Sequence, residues 1–304
     1  MSEEKHMAME KLSKRDRSEL SKLQELALPG ARITDVERLG GLTNRSFHVF
    51  TDQGEFVFRL PGEGTESLID RNDERISTFL ASDLGIDTEI VYFNATTGLK
   101  VSRYLDQAVT MNATTLRDPE NIILVAEILR KLHDSGQDTG IVFDILDMAM
   151  HYEKIIHDGG LYFFDRYENV RALVIDHLEK GPDRPKVTCH NDPLCENWIK
   201  SGDRMYLVDW EYAGMNAASW DLADVSIEAA YGNDEDQLLL TAYYEGSMTE
   251  EECADFALNK IYIDFLWSLW GRARQVYEGE PMRIYADYRY NRLLKNISAV
   301  RFLS

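Results

Sequence analysis

Asp192 and Asn197 stand five residues apart in Cys189-His190-Asn191-Asp192-Pro193-Leu194-Cys195-Glu196-Asn197-Trp198, and Asp209 closes the apolar run Met205-Tyr206-Leu207-Val208. These are the groups that phosphoryl transfer asks for. One carboxylate must stand near an attacking hydroxyl, and hard oxygens must hold Mg²⁺ in line with the transferred phosphate. Asn, Asp and Pro also favour turns, so either half alone reads equally well as turn chemistry. Both halves in this order, downstream of the glycine pair Gly40-Gly41, point to nucleotide-dependent phosphoryl transfer.

The elements that must position these residues follow from periodicity. Residues 8–27 read as an amphipathic helix stopped by Pro29-Gly30. Strands are expected over 32–39, 45–50 and 55–60, around Gly40-Gly41-Leu42-Thr43-Asn44 and a tight turn at Asp52-Gln53-Gly54. A helix over 66–83 and strands over 88–93 and 99–104 complete a small sheet-rich lobe. Beyond residue 106 the pattern is mainly helical, at 119–135, 145–158, 162–180, 221–230, 236–246, 250–278 and 281–300, with the chemistry-bearing segment 186–212 embedded among them. The expected architecture is α+β, a two-lobed protein-kinase-like fold. Residues 1–105 would form a nucleotide-binding lobe with its N-terminal helix, and 106–304 a catalytic and substrate-binding lobe.

Composition narrows the partners. Among 304 residues, 44% are hydrophobic and 28% charged, as in an ordinary globular protein. No apolar run reaches the ~20 residues of a membrane span. The opening Met-Ser-Glu-Glu-Lys-His-Met has no apolar core of a secretory signal, and Cys189, Cys195 and Cys253 form no C-x-x-C pair. A cytoplasmic protein without membrane insertion is expected. The net charge of −20 disfavours nucleic acid and suits a small cationic substrate, although acidity also serves solubility.

The spacing of Asp192 and Asn197 is that of the kinase catalytic loop H-R-D-x-x-x-x-N, in which Asp is the base and Asn a metal ligand. Gly-Gly-Leu-Thr-Asn (40–44), Phe-Arg-Leu-Pro-Gly (58–62), His-Asn-Asp (190–192) with Asn197, and Val-Asp-Trp-Glu-Tyr-Ala-Gly (208–214) together resemble the choline/ethanolamine kinase family, of bacterial choline kinase type, within the aminoglycoside-phosphotransferase-like branch of the kinase fold. The resemblance runs from about residue 33 to 290 and is most specific over 186–228. Trp210 departs from it, since family members often carry Phe there.

The resemblance implies ATP and Mg²⁺ as cofactors and choline as acceptor. Asp192 would then be the base, Asn197 and Asp209 the Mg²⁺ ligands, and His190 a support for the loop. Gly40, Gly41, Thr43 and Asn44 would cover the nucleotide phosphates. This is no Walker loop, and a glycine pair is also common in hairpins. Arg59, where kinases carry a strand lysine, would bind phosphate and pair with Glu74 or, less well, Asp73; the alternative is a surface salt bridge. Arg103, Tyr104 and Leu105 would meet adenine by position.

For the acceptor, Trp267-Ser268-Leu269-Trp270 places two indoles at i, i+3 on a helix. Periodicity alone favours a packed apolar face. The family's W-x-x-W followed by Y-x-D-Y, here Tyr285-Ala286-Asp287-Tyr288, implies instead that Trp267, Trp270 and Tyr288 wall an ammonium pocket by cation–π contact. Glu211, Tyr212 and Glu228 would complete it, and Asp221 would accept from the catalytic-loop backbone. The six histidines other than His190 show no metal-ligand spacing. Ethanolamine, thiamine and aminoglycosides are rival acceptors. A non-catalytic choline- or nucleotide-binding module and a structural interaction protein are rival classes, and neither explains why Asp192, Asn197 and Asp209 stand together.

Overall fold

A computed structural model describes residues 12–39, 44–62 and 69–299. The chain divides into two compact units: residues 1–128 with 194–213, and residues 129–193 with 214–304.

The first unit opens with helix α1 (Lys14–Ala27) and a five-stranded antiparallel sheet of β1 (Ile33–Arg38), β2 (Arg45–Thr51), β3 (Gly54–Leu60), β4 (Ile90–Asn94) and β5 (Leu99–Arg103), in spatial order β1-β2-β3-β5-β4. Alternation places Phe47, Val49, Phe56, Phe58 and Val101 on one face, where they bury against Leu20 and Leu23 of α1. Helix α2 (Arg71–Asp83) begins later than its apolar pattern suggests, because Asp70 caps it and accepts from the backbone N–H groups of Asn72 and Asp73. After β6 (Val109–Thr110), helix α3 (Pro119–His133) runs through the boundary at residue 128. Strands β8 (Trp198–Ser201) and β9 (Arg204–Leu207) return to this unit as a hairpin beside β6. Its turn needs the positive φ of Gly202 (58°).

The second unit is mainly helical. It holds α4 (Ile145–Asp158), α5 (Tyr167–Lys180), α6 (Ala218–Glu228), α7 (Asn233–Tyr244), α8 (Glu250–Glu278) and α9 (Glu280–Ala299). Two three-residue strands, β7 (Val187–Cys189) and β10 (Gly214–Asn216), pair antiparallel, Cys189 opposite Gly214. Helix α5 starts at Tyr167 rather than near 162, because Arg166 sits in the left-handed region. Helix α8 is the spine: Ile261, Ile263, Phe265, Leu266 and Leu269 are all fully buried, and α4, α6 and α9 pack on it. Thr249 and Glu252 form a capping box at its start, and Gly279 at φ 73° turns the chain into α9. No helix among the described residues is long and apolar enough to cross a membrane.

Candidate active site

In the first unit the β8–β9 register sets Trp198 opposite Leu207, and the N–H of Val208 donates to the carbonyl of Asn197 at 3.0 Å. Asn197, at the end of a 3-10 turn, is thereby held one residue from Asp209. Asp209 has φ 73°, a conformation that costs an aspartate energy and turns its side chain off the strand line. Its carboxylate, about a third exposed, lies 3.1 Å from the guanidinium of Arg59.

Arg59 is 4% exposed and is the centre of a charged cluster. It pairs with Glu74 of α2, donates to the Gly98 carbonyl at 3.1 Å and lies 3.6 Å from Glu211. Arg71 bridges Glu74 (2.6 Å) and Glu211 (2.8 Å), and the Asn44 amide donates to Glu211 at 2.7 Å. Burial opposes the charge on Arg59, but Glu74, Asp209 and Glu211 outweigh it and keep the guanidinium protonated. Glu74 is likewise disfavoured by burial and pulled below the usual carboxylate range by Arg59. Burial and then Asp209 push Glu211 upward. Oxygen atoms of Glu74, Asp209 and Glu211 lie within 4.8 Å of one another. These three carboxylates are oxygen donors of the kind that a hard dication such as Mg²⁺ takes, with Glu74 and Glu211 also held by Arg59 and Arg71.

In the second unit, Asp221 is fully buried and organises the loop that carries Asp192. Its two oxygens accept the backbone N–H groups of His190 (2.8 Å) and Asn191 (2.7 Å), and His133 Nε2 sits 3.1 Å from one of them. The indole of Trp220 donates to the Asn191 carbonyl at 3.0 Å, and Asn216 donates to the Asn191 side chain at 2.9 Å. Asn191 is thus fixed at φ 65°, and the N–H of the half-buried Asp192 points to His190 Nδ1 at 3.3 Å. His190 and Asp221 therefore support the loop, as expected.

Beyond this loop α6 presents Asp224 and Glu228 in successive turns. Glu228 pairs with Arg289 of α9, while Asp264 of α8 takes both Arg289 (3.3 Å) and Arg292 (2.7 Å). Asp224 is fully buried. Burial, then Glu228 and Asp192, push its carboxyl well above the aspartate range. On α8, Trp267 and Trp270 meet edge to face with centroids 6.3 Å apart, and Tyr285 of α9 lies against Trp270 in the same manner at 5.7 Å. The Tyr285 phenol is raised first by burial, and it lies in the field of Arg289, Glu228, Asp192 and Asp224. That contact depends on Gly271, where an added Cβ would stand 2.6 Å from the Tyr285 ring.

A sequence profile of choline/ethanolamine kinase matches residues 36–276. The chain belongs to the choline/ethanolamine kinase family.

Family membership makes it a phosphotransferase with an alcohol acceptor. Its likeness extends to solved structures. A choline/ethanolamine kinase family protein from Mesorhizobium loti is 32% identical, with TM-score 0.81 over 93% of this chain and 94% of the other. Choline kinase LicA from Streptococcus pneumoniae is 30% identical, with TM-score 0.78 over 94% and 98%. LicA has also been solved with AMP. Protein LicA of Haemophilus influenzae is 27% identical over 84% of this chain and 76% of its own. The fold is protein-kinase-like, shared with an aminoglycoside 2'-phosphotransferase at 13% identity and TM-score 0.66.

Within this choline/ethanolamine kinase scaffold, the anticipated residues fall into several groups. Arg59, Glu74, Asp209, Glu211 and Asn44 meet in one cluster, and Asn197 is tied to it through Val208. Gly40, Gly41 and Thr43 lie outside the described residues. Tyr104 stacks on His48 at 3.5 Å and gives its N–H to the Glu55 carbonyl, while the Leu105 carbonyl accepts from Ala108. Arg103 is exposed beside Glu89, with its guanidinium over Phe56. Tyr212 is half-buried in the turn after Asp209. Trp267 and Trp270 meet, but Tyr288 does not join them: it is 62% exposed with Arg292 over its ring, and Tyr285 takes the inward place. The sequence reading did not single out Arg71, His133, Asp224, Tyr285 or Arg289. Acids three and seven residues after Asp221 on a buried helix were the available signal for Asp224 beside Glu228.

Proposed function

We propose that the protein transfers the γ-phosphate of ATP to choline with Mg²⁺, yielding phosphocholine and ADP. The observation that carries the choline assignment is the placement of Tyr285, edge to face with Trp270, under the guanidinium of Arg289 and in the field of Glu228, Asp192 and Asp224. A quaternary ammonium is held by aromatic faces and by carboxylate charge together, and its hydroxyl must meet a base. An aminoglycoside, with several primary ammonium groups, asks instead for many acceptors and few rings.

On this reading Asp192 orients and deprotonates the acceptor hydroxyl. Asn197, Asp209 and Glu211 would hold Mg²⁺, which neutralises charge on the phosphates when bound. Arg59, fixed by Glu74, would clasp the nucleotide phosphates. Trp270, Tyr285 and Glu228 orient the ammonium end. The solved LicA–AMP complex supports an adenine nucleotide as donor. The test is ADP release measured over choline, ethanolamine, thiamine and an aminoglycoside. Choline should give the highest kcat/KM, and an absence of choline-dependent release overturns the assignment.

A further inference from the structure

The hydrogen-bond chain behind the loop of Asp192 runs further back than Asp221. Oδ2 of Asp221 takes the backbone N–H of His190 at 2.8 Å and also faces Nε2 of His133, the last residue of α3, at 3.1 Å. The other ring nitrogen of His133, Nδ1, lies 2.8 Å from the phenol oxygen of Tyr243 on α7. The two rings meet edge to face with centroids 5.6 Å apart. Asp221, His133 and Tyr243 are all buried, so bulk water does not compete for these contacts.

The chemistry of the partners fixes the imidazole. A carboxylate only accepts, so Nε2 carries a hydrogen and Nδ1 is left to Tyr243. The ring is thus locked at both nitrogens, its donor aimed at one carboxylate oxygen. That oxygen holds His190, two residues before Asp192, and Oδ1 holds Asn191, one residue before it. With the two backbone donors alone, Asp221 is free to tilt, and the left-handed Asn191 tilts with it. A third donor, anchored on two further helices, removes that freedom.

We propose that His133, held by Tyr243, is a positioning residue for phosphoryl transfer: it acts through Asp221 to set where Asp192 stands and meets no substrate itself. The inference rests on the reading of Asp192 as the base. Misplacing a reacting group by about 1 Å can cost roughly 100-fold in rate, so a small tilt of the loop is felt in kcat. Binding of nucleotide and acceptor, which falls to other side chains, is spared.

The experiment compares His133→Phe, His133→Gln and Tyr243→Phe with the unaltered enzyme, using ATP and Mg²⁺ with choline and with ethanolamine. Phe keeps a ring without the donor, and Gln returns an amide N–H to the place of Nε2. His133→Phe should lower kcat about tenfold or more. Both KM values should stay within about twofold, the pattern of an alignment lost only in the transition state. His133→Gln should recover most of the loss, and Tyr243→Phe should show a smaller loss of the same pattern. Added to Asp221→Asn, His133→Phe should cost less than about a further twofold, because residues acting in series are not additive. An unchanged kcat in His133→Phe, a Gln variant no faster than the Phe variant, KM shifts as large as the loss in kcat, or additive losses with Asp221→Asn overturn the proposal and make the pair packing residues. If His133→Phe does not fold, Tyr243→Phe, which removes a single oxygen, decides: an unchanged kcat overturns the proposal. If the unaltered enzyme releases ADP with neither acceptor, or Asp192→Asn keeps most of the activity, the reading of Asp192 fails and the inference fails with it. If Asp192 is required and the His133 variants keep their kcat, only the role of His133 is lost.

Discussion

Asp221 Oδ1 accepts the backbone N–H of Asn191 at 2.7 Å, one residue before Asp192, while Asn191 holds a left-handed φ of 65°. A strained backbone persists where its surroundings over-determine it, and Asp221 with Trp220 and Asn216 does so here. Asp221→Asn would set an amide NH₂ against a backbone donor. It should cost about 1–3 kcal/mol of stability and depress kcat more than the nucleotide KM. Denaturant unfolding with steady-state kinetics checks both.

Asp192→Asn should lower kcat for choline by more than the ~10²-fold lower end for acid–base groups, with nucleotide binding retained. Equilibrium titration with a fluorescent nucleotide, alongside the rate, decides the matter; most activity surviving would remove Asp192 from the chemistry.

Asp209→Ala should abolish the Mg²⁺ dependence of nucleotide binding, since a hard dication loses a carboxylate ligand. Calorimetry with ATP, in the presence and absence of Mg²⁺, gives the answer. Alanine tolerates the left-handed φ of Asp209 less well than aspartate does, so the melting temperature should fall slightly.

The two tryptophans should separate. Trp267 is 3% exposed among Phe265, Leu266 and Leu269, and Trp267→Ala should cost ~3–5 kcal/mol of stability. Trp270 is half-buried and faces Tyr285, so Trp270→Ala should raise the choline KM by up to roughly 30-fold and leave the ATP KM unchanged. Equal shifts of both KM values by Trp270→Ala would make it a packing residue.

Stability should carry the signature of Asp224 in its pH dependence. Its folded-state pKa is raised, so the native protein holds the proton more tightly than the unfolded chain. Stability from this group therefore falls as pH climbs from the ordinary aspartate range, about 4, toward the folded-state value. Asp224→Asn has no such loss. The difference in melting temperature, variant minus unaltered protein, should grow as pH rises above the ordinary aspartate range, about 4; a constant difference would show that the carboxyl titrates alike in the folded and unfolded states.

Long, capped helices were legible from the chain. The spans 145–158 and 250–278 coincide with α4 and α8, because amphipathic periodicity ends at clear stops such as Gly279. Starts were less legible where one side chain or dihedral decides, as at Asp70 and Arg166. The pairing of β7 with β10 had no local signal, since three-residue strands carry too little alternation. The pairing of Arg59 with Glu74 was readable from strand and helix order, whereas Arg71 joins it only through the packing of α2. Tyr285 and Tyr288 are three residues apart on α9, and only packing separates them: Tyr285 meets Trp270 of α8, while Tyr288 is exposed under the guanidinium of Arg292.

The hydrogen atom that serves as the side chain of Gly271 is what lets the Tyr285 ring of α9 close on α8. One methyl group there would collide with the phenol of Tyr285 and force it away from α8, while the carboxylates on α6 would stay where they are. A single-nucleotide change toward alanine or serine would then trade grip for room. On the proposed choline reading, bulkier amino alcohols would become accessible by that route without touching any group proposed to handle phosphate, which makes this position a natural first stop for laboratory evolution of acceptor range.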